Sequence, residues 1–253
     1  MKNKLILLFI TILFLASCKK EHSKTKIIGK RISISDSLQT NTEIEAYIKP
    51  FRESVNKDLD STLAYAVDTF SKTDGKLNTA IGNFMADAVL EMSNPVFKSR
   101  TKKDIDMVIL NHGGIRSIIS KGNISSRTAY EIMPFDNNVV VAPMKGNQIK
   151  NMLSYLADRK RAHPISNLKL TLNKDYTINE ALINKSTIDF NKTYYVATND
   201  YLYNGGDRMY FLKSKDSVIN LNYKIRNLLI DYFKKIDTLR PKIDDRFKQI
   251  IDN

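Results

Sequence analysis

Two glycine-containing loops carry the residue types best suited to gripping a polar small molecule. The first is Asn111-His112-Gly113-Gly114-Ile115-Arg116. Paired glycines let the backbone approach a ligand closely and adopt positive φ. Asn111 offers an amide donor and acceptor, and Arg116 a forked cation. Such a loop can hold an anionic small molecule, and a tight turn with an exposed Arg is the plainer alternative. The second loop runs from Asn199 to Asp207, with Gly205-Gly206 directly before the Asp207 carboxylate. That carboxylate can accept two hydrogen bonds from a vicinal diol such as a ribose. Tyr201 offers a flat face for a base. Between the loops lies Met133-Pro134-Phe135-Asp136-Asn137, where Pro134 stiffens the chain and can present Phe135 toward a cleft. If Phe135 and Tyr201 face each other they form a slot for a planar ring, worth roughly 1–3 kcal/mol per base. Aromatic residues near strand ends usually belong to a core, so this slot is an expectation for the structure to meet.

The elements that must position these loops alternate irregularly. Residues 42–57 are rich in Glu, Lys and Arg and look helical; Ser61 to Phe70 alternates Leu63, Tyr65 and Val67, as a strand does. Ile81, Phe84, Met85, Ala88, Val89 and Met92 make one stripe of a helix over Thr79–Met92. Short apolar runs predict strands at 105–110, 138–142, 167–172, 178–183 and 194–202, and helices fall at 147–160 and 222–236. The mixture favours an α+β domain, a mixed sheet with helices packed on it, over a doubly wound parallel one.

The 253 residues include 40 Lys and Arg against 27 Asp and Glu, three His and one Cys. A lone Cys excludes an internal disulfide framework. The segment opens Met1-Lys2-Asn3-Lys4, continues as an apolar run to Ala16 and ends Leu15-Ala16-Ser17-Cys18. That pattern reads as an export signal over 1–17. Its end is similar to the bacterial lipobox, which makes Cys18 the lipidated first residue of a protein held to the cell envelope. Residues 18–40 read as a flexible tether and 41–253 as the folded domain. The net charge is +13, or +11 once Lys2 and Lys4 leave with the signal. The lysines are scattered, without the interleaved Arg and aromatic pattern of RNA binders, so nucleic acid is the weakest of the partners a basic chain invites.

Taken together, the motifs resemble a known family. Asn111 to Arg116, Pro134-Phe135, Asp200 to Asp207 and the helix Ile81-Gly82-Asn83-Phe84-Met85-Ala86-Asp87-Ala88 are similar to the C-terminal domain of the 5′-nucleotidase / UDP-sugar hydrolase family, over about residues 55–235. The resemblance implies that Phe135 and Tyr201 sandwich the base, that Asn111 reaches a polar edge of it and that Asp207 holds the ribose hydroxyls. It further implies that Arg116 contacts the ribose or the α-phosphate side, with Gly205 and Gly206 in the substrate loop. Three positions depart from the family pattern: Lys76 stands near where an Arg is usual, Arg208 where a Gly follows Gly-Gly-Asp, and Ser166-Asn167 where Ser-Gly is expected. Family members hydrolyse phosphate esters with two metal ions held in an N-terminal calcineurin-like domain. Here the only histidines are His22, His112 and His163, and no D-x-H, G-D-x-x-D, G-N-H-[DE] or G-H-x-H stretch occurs. Nor is there a G-x-S-x-G elbow or a P-loop. The expectation is a nucleotide-binding, membrane-anchored chain without catalytic or metal residues of its own, served by divalent metals on a separate metallophosphoesterase chain. A non-catalytic exported nucleoside-binding lipoprotein is the alternative.

Overall fold

The computed structural model describes residues 26–250 apart from 36 and 215. The expected signal, Cys18 and the start of the tether lie outside the described residues. The chain divides into two units, Met1–Ile48 and Lys49–Asn253. In the first, the described residues from 26 to 40 form no helix or strand. Asn41 Oδ1 then accepts from the backbone N–H groups of Glu43 and Ile44 at 3.0 and 3.1 Å, which caps helix α1 (Thr42–Asp60).

From α1 the chain continues through β1 (Thr62–Ala66), α2 (Ala80–Thr101), β2 (Met107–Ile109), β3 (Gly122–Ser125), α3 (Ser126–Ile132), β4 (Asn138–Met144) and α4 (Gly146–Arg159). There follow β5 (Ile165–Ser166), β6 (Leu168–Leu172), β7 (Ile178–Ile183), β8 (Ser186–Thr187), β9 (Tyr194–Asn199) and α5 (Asp200–Tyr203). The last elements are β10 (Ile219–Lys224), α6 (Ile225–Lys235), β11 (Thr238–Leu239) and β12 (Phe247–Gln249). A central sheet has the order β10-β4-β9-β2-β5, flanked by sheets β11-β1-β3 and β12-β6-β7-β8. Every sheet mixes parallel and antiparallel neighbours, so the α+β architecture expected from the sequence is the one observed.

The central sheet divides two hydrophobic cores because successive side chains on a strand point to opposite faces. Val139 and Val141 of β4, Ala197 of β9 and Val108 of β2 pack with α2, α3 and α6. Ala142 and Met144, Tyr194 and Val196, and Met107 and Ile109 pack with α4 and the β6–β7 sheet. Both faces are covered, which explains the near-continuous apolar runs of these strands.

Several boundaries differ from the sequence expectation. Helix α2 does not stop at Met92 but continues through Pro95 to Thr101, because Phe97 is fully buried and packs 5.5 Å from the Tyr195 ring. The strand expected to reach Leu202 ends at Asn199, whose Oδ1 accepts from the Leu202 N–H at 2.8 Å and starts a helical turn. Residues 222–224, placed in the last helix by their periodicity, instead end edge strand β10 against β4, with Asn222 at φ 51°. The Asn and Asp of the α2 motif face inward to the C-terminal segment. Asn83 Nδ2 donates to the Lys242 carbonyl at 2.8 Å, and Asp87 receives Ser166 Oγ at 2.6 Å and Arg246 Nη1 at 2.8 Å. These polar residues are structural clamps.

Candidate functional site

Strand direction brings the expected loops together. Strands β2 and β9 pair in parallel, with Met107 opposite Val196, so the loops that follow both leave at the same edge of the sheet. Strand β4 runs antiparallel to β9, with Val139 opposite Asn199, so the loop before β4 arrives at that edge too. Asn111, Arg116, Phe135, Tyr201 and Asp207 thereby line one cavity of about 310 Å³, completed by Gly113, Gly114 and Asn137. Ligands of open α/β sheets favour such strand-end crevices.

The two rings stand half out of the core, Phe135 40% and Tyr201 48% exposed. Each is braced. The buried Arg226 of α6 donates to the Pro134 carbonyl at 3.0 Å and also binds the Asp136 carboxylate, which receives Lys224 at 2.9 Å. Both neighbours of Phe135 are therefore pinned. The Tyr201 hydroxyl donates to Asp207 Oδ1 at 3.2 Å. A Cβ on Gly206 would lie 2.4 Å from Tyr201 Cε1, so only glycine lets that ring take its place. Gly205, at φ 95°, makes the turn. Neither glycine is on the cavity wall; they act through Tyr201 and the course of the loop.

Asn111 lines the same cavity. Its amide nitrogen donates to Asp207 Oδ2 at 2.7 Å, which makes it a holder of the carboxylate. A Cβ on Gly114 would come within 2.8 Å of Asn111 Oδ1, so that glycine accommodates the amide. Asp207 accepts one donor on each oxygen and, as a carboxylate, has further lone pairs for a diol. The Arg116 guanidinium lies 5.8 Å from the Phe135 ring centroid, a cation–π distance. Lys76 is turned elsewhere, donating to Gln249 at 3.2 Å and covering the Tyr176 ring. Sequence reasoning missed Asn137 and Arg226. Arg226 was detectable as a cation on the apolar stripe of α6, between Ile225 and Leu229.

A larger cavity, about 500 Å³, opens beside Asp87, Ser166 and Arg246. Its central charges already satisfy one another: Arg246 spans Asp87 and Asp244 at 2.8 Å each. The smaller cavity has the convergent half-exposed rings and the carboxylate, and is the better candidate. The divalent ions of the resembling family need several convergent donors. Among the described residues no three His, Cys, Asp or Glu side chains gather to hold an ion. The described residues do not fit such a centre.

Next to this site His163 is buried, with 6% of its surface exposed. Burial lowers its ring to about 4, opposed by the Leu110 carbonyl, while His112, Asp207 and Arg161 act more weakly. An unfolded His titrates near 6.5, so the fold prefers the neutral ring. Its contribution is complete above about pH 6.5 and is lost as pH falls through about 4, a total of about 3 kcal/mol. His163→Gln is expected to flatten this acid limb. Urea unfolding at pH 7 and 4.5 would measure it, and an equal acid loss in both proteins would assign the limb to other groups.

The fold and cavity define an α+β domain that presents two aromatic rings and a clamped carboxylate at one edge of a mixed sheet. The family model described as 5'-nucleotidase, C-terminal domain, matches residues 61–214, more than half of the chain. The chain belongs to that family. It is 27% identical over 237 residues to the trifunctional nucleotide phosphoesterase protein YfkN of Bacillus subtilis, covering 87% of this chain and 16% of the relative. It is 24% identical over 221 residues to protein UshA of Escherichia coli, covering 83% of this chain and 38% of UshA. In structure it is similar to a 5'-nucleotidase precursor from Thermus thermophilus, with a TM-score of 0.68, 21% identity and coverage of 83% of this chain and 43% of that one. The chain thus spans less than half the length of each of these relatives.

Proposed function

We propose that the chain binds nucleotides or nucleosides, with the base between Phe135 and Tyr201, the ribose diol on Asp207 and Arg116 toward the α-phosphate. The observation that carries this reading is the arrival at one cavity of two half-exposed rings from two loops and a carboxylate held by Tyr201 and by Asn111 of a third loop. In this reading the chain is the substrate-binding part of a 5′-nucleotidase-type hydrolase of nucleotide catabolism, held to the cell envelope through Cys18. In the same reading, divalent metal chemistry comes from a separate metallophosphoesterase chain. Orientation by one part and charge stabilisation by another are separable contributions to catalysis.

Two measurements on the purified chain test it. Calorimetry should detect adenosine and AMP binding. Incubation with AMP and Zn²⁺ or Mn²⁺ should release phosphate no faster than metal alone. Absence of nucleoside binding overturns the site, and brisk metal-dependent turnover by the isolated chain overturns the division of labour.

A further inference from the structure

The wall of the ring cavity has a second side. Gly113 and Asp207 also line a neighbouring cavity of about 400 Å³, where Arg159, Arg161 and Arg208 converge with Tyr155 and His163. Three guanidinium groups stand there against a single carboxylate. That carboxylate is engaged by Asn111 and Tyr201, residues that line the ring cavity, whereas the Asp207 backbone carbonyl receives the Tyr155 hydroxyl at 2.9 Å. Among the described residues none of the three arginines is ion-paired; Arg159 lies over the Tyr155 ring at 5.1 Å. Unpaired guanidinium groups in a concave site are suited to the forked geometry of a phosphate.

Two further features mark the place. Arg208 follows Asp207 with both in the left-handed region, at φ 62° and 50°. Glycine would adopt that conformation without strain, so a long cationic side chain is held there against local preference. His163, on the same wall, keeps its Nε2 buried with no hydrogen bond to protein. A buried polar atom without a partner calls for a missing ligand or water.

We infer that this cavity is a second anion subsite, which takes a phosphate carried on the 2′ or 3′ oxygen of the ribose bound at Asp207. The inference rests on the base-and-ribose reading of the ring cavity. Asp207 lies on the boundary between the two cavities, so a sugar whose diol meets it turns its 2′,3′ edge toward the arginines. One hydroxyl stays with Asp207, and the phosphate on the other meets Arg208 and Arg161. The ligand class is a 2′- or 3′-phosphorylated nucleotide.

Calorimetric titration of the full chain with adenosine, adenosine 3′-monophosphate and AMP tests this, in the natural protein and in Arg208→Gly and Arg161→Gln. The 3′-phosphate is expected to tighten binding over adenosine by about tenfold to a hundredfold, the scale of charge-assisted hydrogen bonds. Both variants should lose that ratio. Arg208→Gly relieves a strained φ, so its melting temperature should hold or rise and loss of folding cannot imitate loss of the subsite. Adenosine binding without a 3′-phosphate gain overturns the inference alone. So does a gain that survives both variants, or a 5′-phosphate gain that vanishes with them. If adenosine fails to bind at all, the ring reading falls and this inference falls with it.

Discussion

Tyr201→Ala and Phe135→Ala are each expected to weaken adenosine binding by about tenfold to a hundredfold, the worth of one stacking face. The double variant should lose close to the product, because the two rings come from different loops and share no bracing partner. Stability should change little, since both rings are already 40–48% exposed and leave no core cavity. Gly206→Ala should reproduce most of the Tyr201 loss while keeping the ring, because its Cβ would displace Tyr201 Cε1 from 2.4 Å. Calorimetry together with thermal melting separates these effects. Unchanged affinity in both single variants would return the two aromatics to the status of ordinary surface residues.

Arg246→Met is expected to destabilise the domain by about 3–5 kcal/mol, the cost of breaking a pair whose guanidinium is largely buried. The Arg246 side chain is only 19% exposed. Its guanidinium donates to Asp87 at 2.8 and 2.9 Å, to Asp244 at 2.8 Å and to the Ile165 carbonyl at 2.9 Å. It thereby ties α2, β5 and the approach to β12 into one joint. Asp87 and Asp244 are each more than 40% exposed and regain some water, so the lower end of the range is favoured. Arg246→Lys should rescue little, because an ammonium cannot span two carboxylates as a planar fork does. Urea unfolding reads the result, and a change within about 1 kcal/mol, the scale of a surface pair, would show the joint to be dispensable.

Much of the site could be read from residue type. Asn111, Arg116, Phe135, Tyr201 and Asp207 were each recognisable as groups able to stack, accept or donate, and all five reach one cavity. The α2 stripe of Ile81, Phe84, Met85, Ala88 and Val89 was readable because helical periodicity is local, and all five are buried. What failed was what depends on distant partners. The end of α2 was misplaced because Phe97 gains a buried position that periodicity around Pro95 does not reveal. The Asn111 hold on Asp207 was not readable because the two residues are 96 positions apart.

By itself the sequence determined the chemical repertoire, the apolar stripes and the places where glycine frees the backbone, since these depend on side chains and neighbours along the chain. The tertiary structure alone decided that three separate loops meet, because that follows from β2 running parallel and β4 antiparallel to β9 once both sheet faces are buried. It also decided that Arg226 stiffens the Phe135 loop and that Arg159, Arg161 and Arg208 gather beyond Asp207. Strand order and direction are set by burying two cores at once, a condition on the whole chain that no local window of residues contains.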